Sequence, residues 1–245
     1  MLPIGRTTLI LTVSFHSPVL MSKHQTAEEV KQEYIEKLGF EFGSFFDKIR
    51  YEVILLHFKW SEFEELYSKE DRVELMNKIA PNFYFYLQTL LLDDVILGIT
   101  KLTEPKSDRK GNTRLTLWTF KNFTNPPLKG EVSKLLKRIK DDASFSYDRR
   151  NRKIAHFDQD LALNEHAEPL EVASRDRING VVDSIAELMN LVEGHYMDAT
   201  THYRIGSQSG YHLLLRADDG MRFQELKFKF YKEGKIDISD FDGHY

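Results

Sequence analysis

Apolar residues recur every three or four positions along most of this chain, a spacing that predicts helices. Thr26-Ala-Glu-Glu29 opens the first with a capping-box pattern, in which a threonine hydroxyl and a glutamate carboxylate each accept from one otherwise unpaired amide. Val30, Tyr34, Ile35 and Leu38 then share a helical face, and Gly39 and Gly43 predict a break or kink nearby. Phe45, Phe46, Ile49, Val53, Leu56 and Trp60 continue the pattern. Ser61-Glu-Phe-Glu64 predicts a second capping box and a fresh helix start, followed by Phe63, Leu66, Tyr67, Val73, Leu75 and Met76 on one side.

Residues 82–103 are apolar almost all round, which predicts a helix at the centre of a bundle, ended by Pro105. Asp93 and Asp94 interrupt it. Neighbouring side chains on a helix diverge by about 100°, so the two acids cannot face the same way. One is expected to be solvated and the other paired with a cation, because a lone buried carboxylate is costly. A short helix is predicted over residues 115–120, stopped near Asn125-Pro126-Pro127, and another over residues 128–140, with Val132, Leu135, Leu136 and Ile139 on one face. The next helix, capped by Asp141, Asp142, Ser144 or Ser146, is expected to run to about Leu163. Ser174 is a good N-cap for an amphipathic helix carrying Ile178, Val181, Val182, Ile185, Leu188, Met189 and Val192. Residues 207–217 read as a short helix. Residues 221–231 read as helix or as an alternating strand, with helix preferred. The expected fold is therefore all-α, an up-and-down helical bundle over residues 22–200 with a small C-terminal appendage over residues 201–245.

Composition narrows the chemistry. The chain has 245 residues, enough to bury a substantial core, and a net charge of −4, so any nucleic-acid binding has to come from a local basic patch. It has no cysteine, which excludes disulfide frameworks and thiolate metal sites. His24, His57, His166, His195, His202 and His212 are scattered and form no ligand cluster at fixed spacing with acids. No apolar run is read as reaching the length of a membrane-spanning helix. Residues 1–21 carry a short apolar core without a small-x-small cleavage site, and Met21-Ser-Lys-His-Gln-Thr reads like a cytosolic start. The first twenty residues are thus expected to be an extension upstream of the true start, and the protein cytoplasmic.

One stretch stands out. Arg149-Arg150-Asn151-Arg152-Lys153 places four cations in five positions, and His156 follows. Guanidinium groups grip phosphate with paired hydrogen bonds, and imidazole moves protons near neutral pH. Together they can support cleavage of RNA without a metal or other cofactor. The 2′-hydroxyl attacks the adjacent phosphorus, leaving a 2′,3′-cyclic phosphate and a 5′-hydroxyl. Residue types alone favour a plainer reading, a solvated basic surface with an incidental histidine. Geometry adds a constraint. On an unbroken α-helix His156 shares a side with Arg149 and Arg152, whereas Arg150 is rotated about 240° away. Arg150 then meets the histidine only from a helix start or across a dimer; a continuous helix in a monomer favours Arg152.

The sequence Arg150-Asn151-Arg-Lys-Ile-Ala-His156 resembles the signature of the HEPN superfamily, where an arginine and a polar residue precede a histidine in a helical bundle. Arg-Asn at its start, Ala-His-x-Asp at its end and Leu-Leu-Asp-Asp-Val-Ile-Leu-Gly-Ile-Thr-Lys-Leu-Thr at residues 91–103 resemble the AbiU-type abortive-infection proteins in particular. The resemblance spans about residues 26–197. It implies a metal-independent endoribonuclease with Arg150, Asn151 and His156 as catalytic residues, RNA as substrate, and a homodimer whose two motifs face one cleft. It also implies a toxin or phage-defence role, with an antitoxin as a candidate partner and no membrane. Some relatives carry a modifiable tyrosine two positions after the histidine; Asp158 stands there in this chain. Other HEPN domains are inactive, so a non-catalytic dimerisation or RNA-binding module is the alternative.

Overall fold

In the computed structural model, residues 26–107, 110–156, 158–164, 166–204, 206 and 209–237 are described. The expected N-terminal extension, residues 1–21, lies outside them, so that reading falls on residues not described. The described residues form helices α1 (Ala27–Leu38), α2 (Phe40–Tyr67), α3 (Glu70–Ile79), α4 (Pro81–Thr103), α5 (Phe120–Phe123), α6 (Leu128–Asp142), α7 (Ser144–Arg149), α8 (Gln159–Leu163), α9 (Arg175–Met197) and α10 (Ser209–Lys232). No strand occurs among them, so the all-α reading holds. The chain divides into two compact units, Met1–Asp47 and Lys48–Tyr245.

In the first unit the capping box forms as read. The Glu29 amide donates to the Thr26 hydroxyl at 3.2 Å, and the Thr26 amide donates to the Glu29 carboxylate at 2.7 Å. That backbone hydrogen bond, and then the Thr26 hydroxyl, hold the Glu29 pKa below the usual carboxylate range. Gly39 breaks the helix with φ +82°, a left-handed conformation that suits glycine. Gly43 is needed for a different reason. A Cβ there would sit 2.5 Å from the Tyr34 carbonyl oxygen and 2.6 Å from the Ile35 Cα, both backbone atoms that cannot swing away. Gly43→Ala is therefore expected to lower stability by about 2 kcal/mol, read as a lower urea midpoint at unchanged slope.

In the second unit α6 packs against α9, α7 against α4, and α10 against α3. Val53, Leu56, Val95, Ile96, Ile99, Val132, Leu136, Ile139, Ile178, Val181, Ile185 and Leu188 are buried. Ser174 caps α9, accepting from the Arg177 amide at 3.3 Å. A smaller cluster gathers Leu66, Met76, Tyr84 and Leu214 between the end of α2, α3, the start of α4, and α10.

Several expectations change. Helix α2 runs unbroken through Ser61, because its apolar positions stay in phase there; Glu64 accepts from Asn179 Nδ2 at 3.2 Å instead of turning back to cap a new start. The tail is one helix, α10, rather than a short helix and a separate segment. Helix α4 is central over its C-terminal half alone. Near its start Tyr84 packs on α3 and α10, while Phe83, Phe85, Tyr86 and Leu90 are exposed. Contrary to the expectation that no run could span a bilayer, α4 is long and apolar enough to do so by length and composition. Both of its acids are paired, not one: Asp94 with Lys59 Nζ at 2.7 Å, and Asp93 with Lys153 Nζ at 3.3 Å.

Candidate functional site

The basic stretch lies across α4. At one end Tyr147 donates to the Thr103 hydroxyl at 2.9 Å; further on, Lys153 reaches Asp93. Burial pushes the Tyr147 phenol above its ordinary pKa, the Thr103 hydrogen bond opposing, so it remains a protonated donor. Trp118 Nε1 donates to the Thr103 carbonyl at 2.9 Å, satisfying one of the acceptors that a helix end leaves open.

The helix expected to carry the basic cluster to about Leu163 is interrupted within that cluster. Helix α7 ends at Arg149, and Arg150–Ile154 forms a π turn, closed by the Ala155 amide donating to the Arg150 carbonyl at 2.8 Å. Such turns are frequent at functional sites. The extra residue shifts the register, and the helix stops there. Asp158 then starts α8, its carboxylate accepting from the Leu161 amide at 2.9 Å. That hydrogen bond does most to hold Asp158 below the usual carboxylate range; desolvation opposes it, and the Arg152 guanidinium adds to it. His156 therefore stands past a helix end, exposed to solvent, instead of on a continuous helical face.

The three arginines part company. Arg149 Nη1 donates to the Glu171 carbonyl at 3.3 Å. Arg152 is a clamp: it pairs with Asp148 at 3.4 Å and Asp158 at 3.5 Å, and donates to the Glu168 carbonyl at 2.7 Å. Asp148 accepts from the Glu171 amide at 2.7 Å, so the clamp ties the stretch before α9 to the motif turn. Arg152 is thus engaged in holding the turn.

Arg150 turns to α4. It pairs with Glu104 and donates to Asn151 Oδ1 at 2.8 Å. The structure thereby joins Arg150 and Asn151. The Ala155–Arg150 hydrogen bond sets the residue before His156 over the Arg150 backbone, but no hydrogen bond links the imidazole to Arg150 or Asn151 among the described residues. The Arg150 side chain is 29% exposed.

Two residues at this site escaped the sequence reading. Glu104, only 12% exposed, also pairs with Arg114 Nη1 at 2.6 Å. A signal existed for Glu104: a carboxylate at a helix C-terminus meets the negative end of the helix dipole and calls for cations nearby. Arg114 lies in a charged loop and carried no comparable signal. Among the described residues, no group of three or more His, Asp or Glu side chains is arranged to hold a metal ion.

A family model described as AbiU2, of the HEPN type, matches residues 41–212, well over half of the chain. No curated protein and no solved structure matches.

Proposed function

Since the chain belongs to the AbiU2 family of HEPN proteins, we propose that it is a metal-independent endoribonuclease acting as a toxin or phage-defence effector. The observation that carries this reading is the solvent-facing π turn. It carries Arg150 and Asn151, hydrogen-bonded to each other, and leads directly to an exposed His156.

In this reading RNA lies across the turn. The 2′-oxygen forms a bond to the adjacent phosphorus, the bond from phosphorus to the 5′-oxygen breaks, one proton leaves the 2′-hydroxyl and one reaches the departing oxygen. His156 carries a proton. Arg150 neutralises the crowded phosphorane, where preorganised charge does most to lower a barrier. Asn151 holds the guanidinium through its Oδ1.

Two proton transfers call for two groups, and a homodimer supplies two imidazoles. Phe83, Tyr86 and Leu90, spaced three and four apart on α4, give one exposed apolar stripe. It runs toward Asp93, which touches the motif turn through Lys153. A second copy covering that stripe would bring two motif turns near one another. The alternative module needs no proton transfer, and the Arg150–Glu104 pair gives it some support, since that guanidinium is already engaged.

Purified protein incubated with total RNA in excess chelator should yield fragments ending in 2′,3′-cyclic phosphate and 5′-hydroxyl. Intact RNA under those conditions, or cleavage equal in the His156→Ala protein, counts against the nuclease.

A further inference from the structure

His156 stands in a stretch that apolar packing does not fix. None of the described residues from Arg150 to Leu163 is buried, and Ala155, His156, Ala162 and Leu163 are exposed. A segment with so few buried contacts moves unless polar groups hold it. Here they do. The Asp158 amide donates to the Arg152 carbonyl at 3.3 Å and closes the loop that carries His156. The Asp158 carboxylate closes it a second time: Oδ2 pairs with Arg152 Nε at 3.5 Å, while Oδ1 accepts from the Leu161 amide at 2.9 Å and starts α8. Arg152 is anchored outside the loop by Asp148 of α7 at 3.4 Å and by the Glu168 carbonyl at 2.7 Å. Asp148 in turn accepts from the Glu171 amide at 2.7 Å.

One carboxylate therefore joins the start of α8 to an arginine fixed on α7, and His156 lies between the two points of attachment. A partly exposed ion pair contributes little to overall stability. Placement is a different quantity. A reacting group misplaced by about 1 Å can cost about 10²-fold in rate, and a site is only as precise as the shell that supports it. We infer that Asp158 is a positioning residue for the proposed cleavage, holding His156 in place through Arg152 and the α8 cap without touching RNA itself. This deepens the nuclease reading and rests on it for the reaction that His156 performs.

Two measurements on the full chain separate placement from stability. Asp158→Asn still offers an oxygen to the Leu161 amide but no charge to Arg152; Asp158→Ala offers neither. On cleavable RNA, kcat should fall about tenfold in the first and about 10²-fold in the second, with KM changed by less than about twofold. The melting temperature of Asp158→Asn should be nearly that of the wild type. Asp158→Glu keeps the charge and should recover most of the kcat that Asp158→Asn loses. In an Arg152→Gln background Asp158→Asn should cost nothing more, because the group it acts through is gone. The second measurement reads His156 without any cleavage. Its backbone 15N order parameter should be about 0.85 in the wild type, below about 0.6 in Asp158→Ala, and between the two in Asp158→Asn. A merely structural aspartate would lower the melting temperature and leave kcat per folded molecule and the order of His156 unchanged; that result overturns the positioning role. So does wild-type kcat in both variants. Should Asp158→Ala fail to fold, Asp158→Asn decides on the same two readouts. If the wild type leaves RNA intact, the nuclease reading falls, and the order parameter still decides whether Asp158 holds His156.

Discussion

Replacing His156 with alanine is expected to reduce RNA turnover by about 10²–10⁴-fold, the usual contribution of a positioned acid or base, with RNA affinity changed by less than about twofold. The structure makes this substitution clean. His156 is exposed and lies past the last turn of the helix, so its removal opens no cavity. Exposed positions of this kind usually shift stability by about 0.5 kcal/mol or less. Loss of turnover then cannot be ascribed to unfolding, and a thermal melt run in parallel checks the point. Arg152→Ala is the instructive contrast. It breaks the clamp between Asp148, Asp158 and the Glu168 carbonyl, so it should loosen the whole turn and lower stability along with activity. A His156→Ala protein that cleaves at the wild-type rate removes the histidine from the chemistry and leaves the binding module. One that melts many degrees lower shows that the ring has a packing role absent from this structure.

The fold could be read from the chain wherever one-dimensional periodicity and local capping decide the outcome. Thr26, Glu29 and Ser174 cap as expected, and the face of α9 from Ile178 to Val192 is buried as its spacing requires. The readings that failed concern interactions the linear sequence does not rank. Ser61-Glu-Phe-Glu64 has the form of a capping box, yet in-phase apolar positions on either side carry α2 straight through it. Helix α4 looks central because its residues are apolar, but how many neighbours cover each half is a tertiary matter. At the site, the basic residues, Asn151 and the histidine were evident from residue type and resemblance. The π turn was not, since no residue in Arg150–Ile154 demands it. Nor was Arg114, because what gives it meaning is a carboxylate it shares with an arginine distant in sequence.

Away from that site, a buried histidine makes the fold itself sensitive to acid. His57, on α2, is 2% exposed. Burial drives its pKa from 6.5 down to about 4; the charge of Asp183 opposes this, Arg204 and His202 add to it, and a hydrogen bond with the Val182 carbonyl opposes it. The Tyr203 ring lies 5.5 Å away, and Nε2 has no hydrogen-bond partner among the described residues, so a proton placed there would be buried without an acceptor. In the unfolded chain the same imidazole titrates near 6.5. Between pH 6.5 and about 4 the unfolded state thus binds more protons than the folded one, and stability rises with pH across that window. The contribution is complete above about 6.5 and is lost as pH falls toward 4. At 1.36 kcal/mol per pKa unit this amounts to about 2–3 kcal/mol between roughly pH 7.5 and 4.5. His57→Phe keeps an aromatic ring beside Tyr203 and removes the proton site. Urea unfolding of both proteins at the two pH values should show the variant losing less stability on acidification, by about that amount, even if it is somewhat weaker at neutral pH. Carboxylates titrating over the same range affect both proteins alike and cancel in the difference. Parallel pH curves for the two proteins would mean that His57 is protonated within the folded state at little cost, and that some opening of α2 admits water to it.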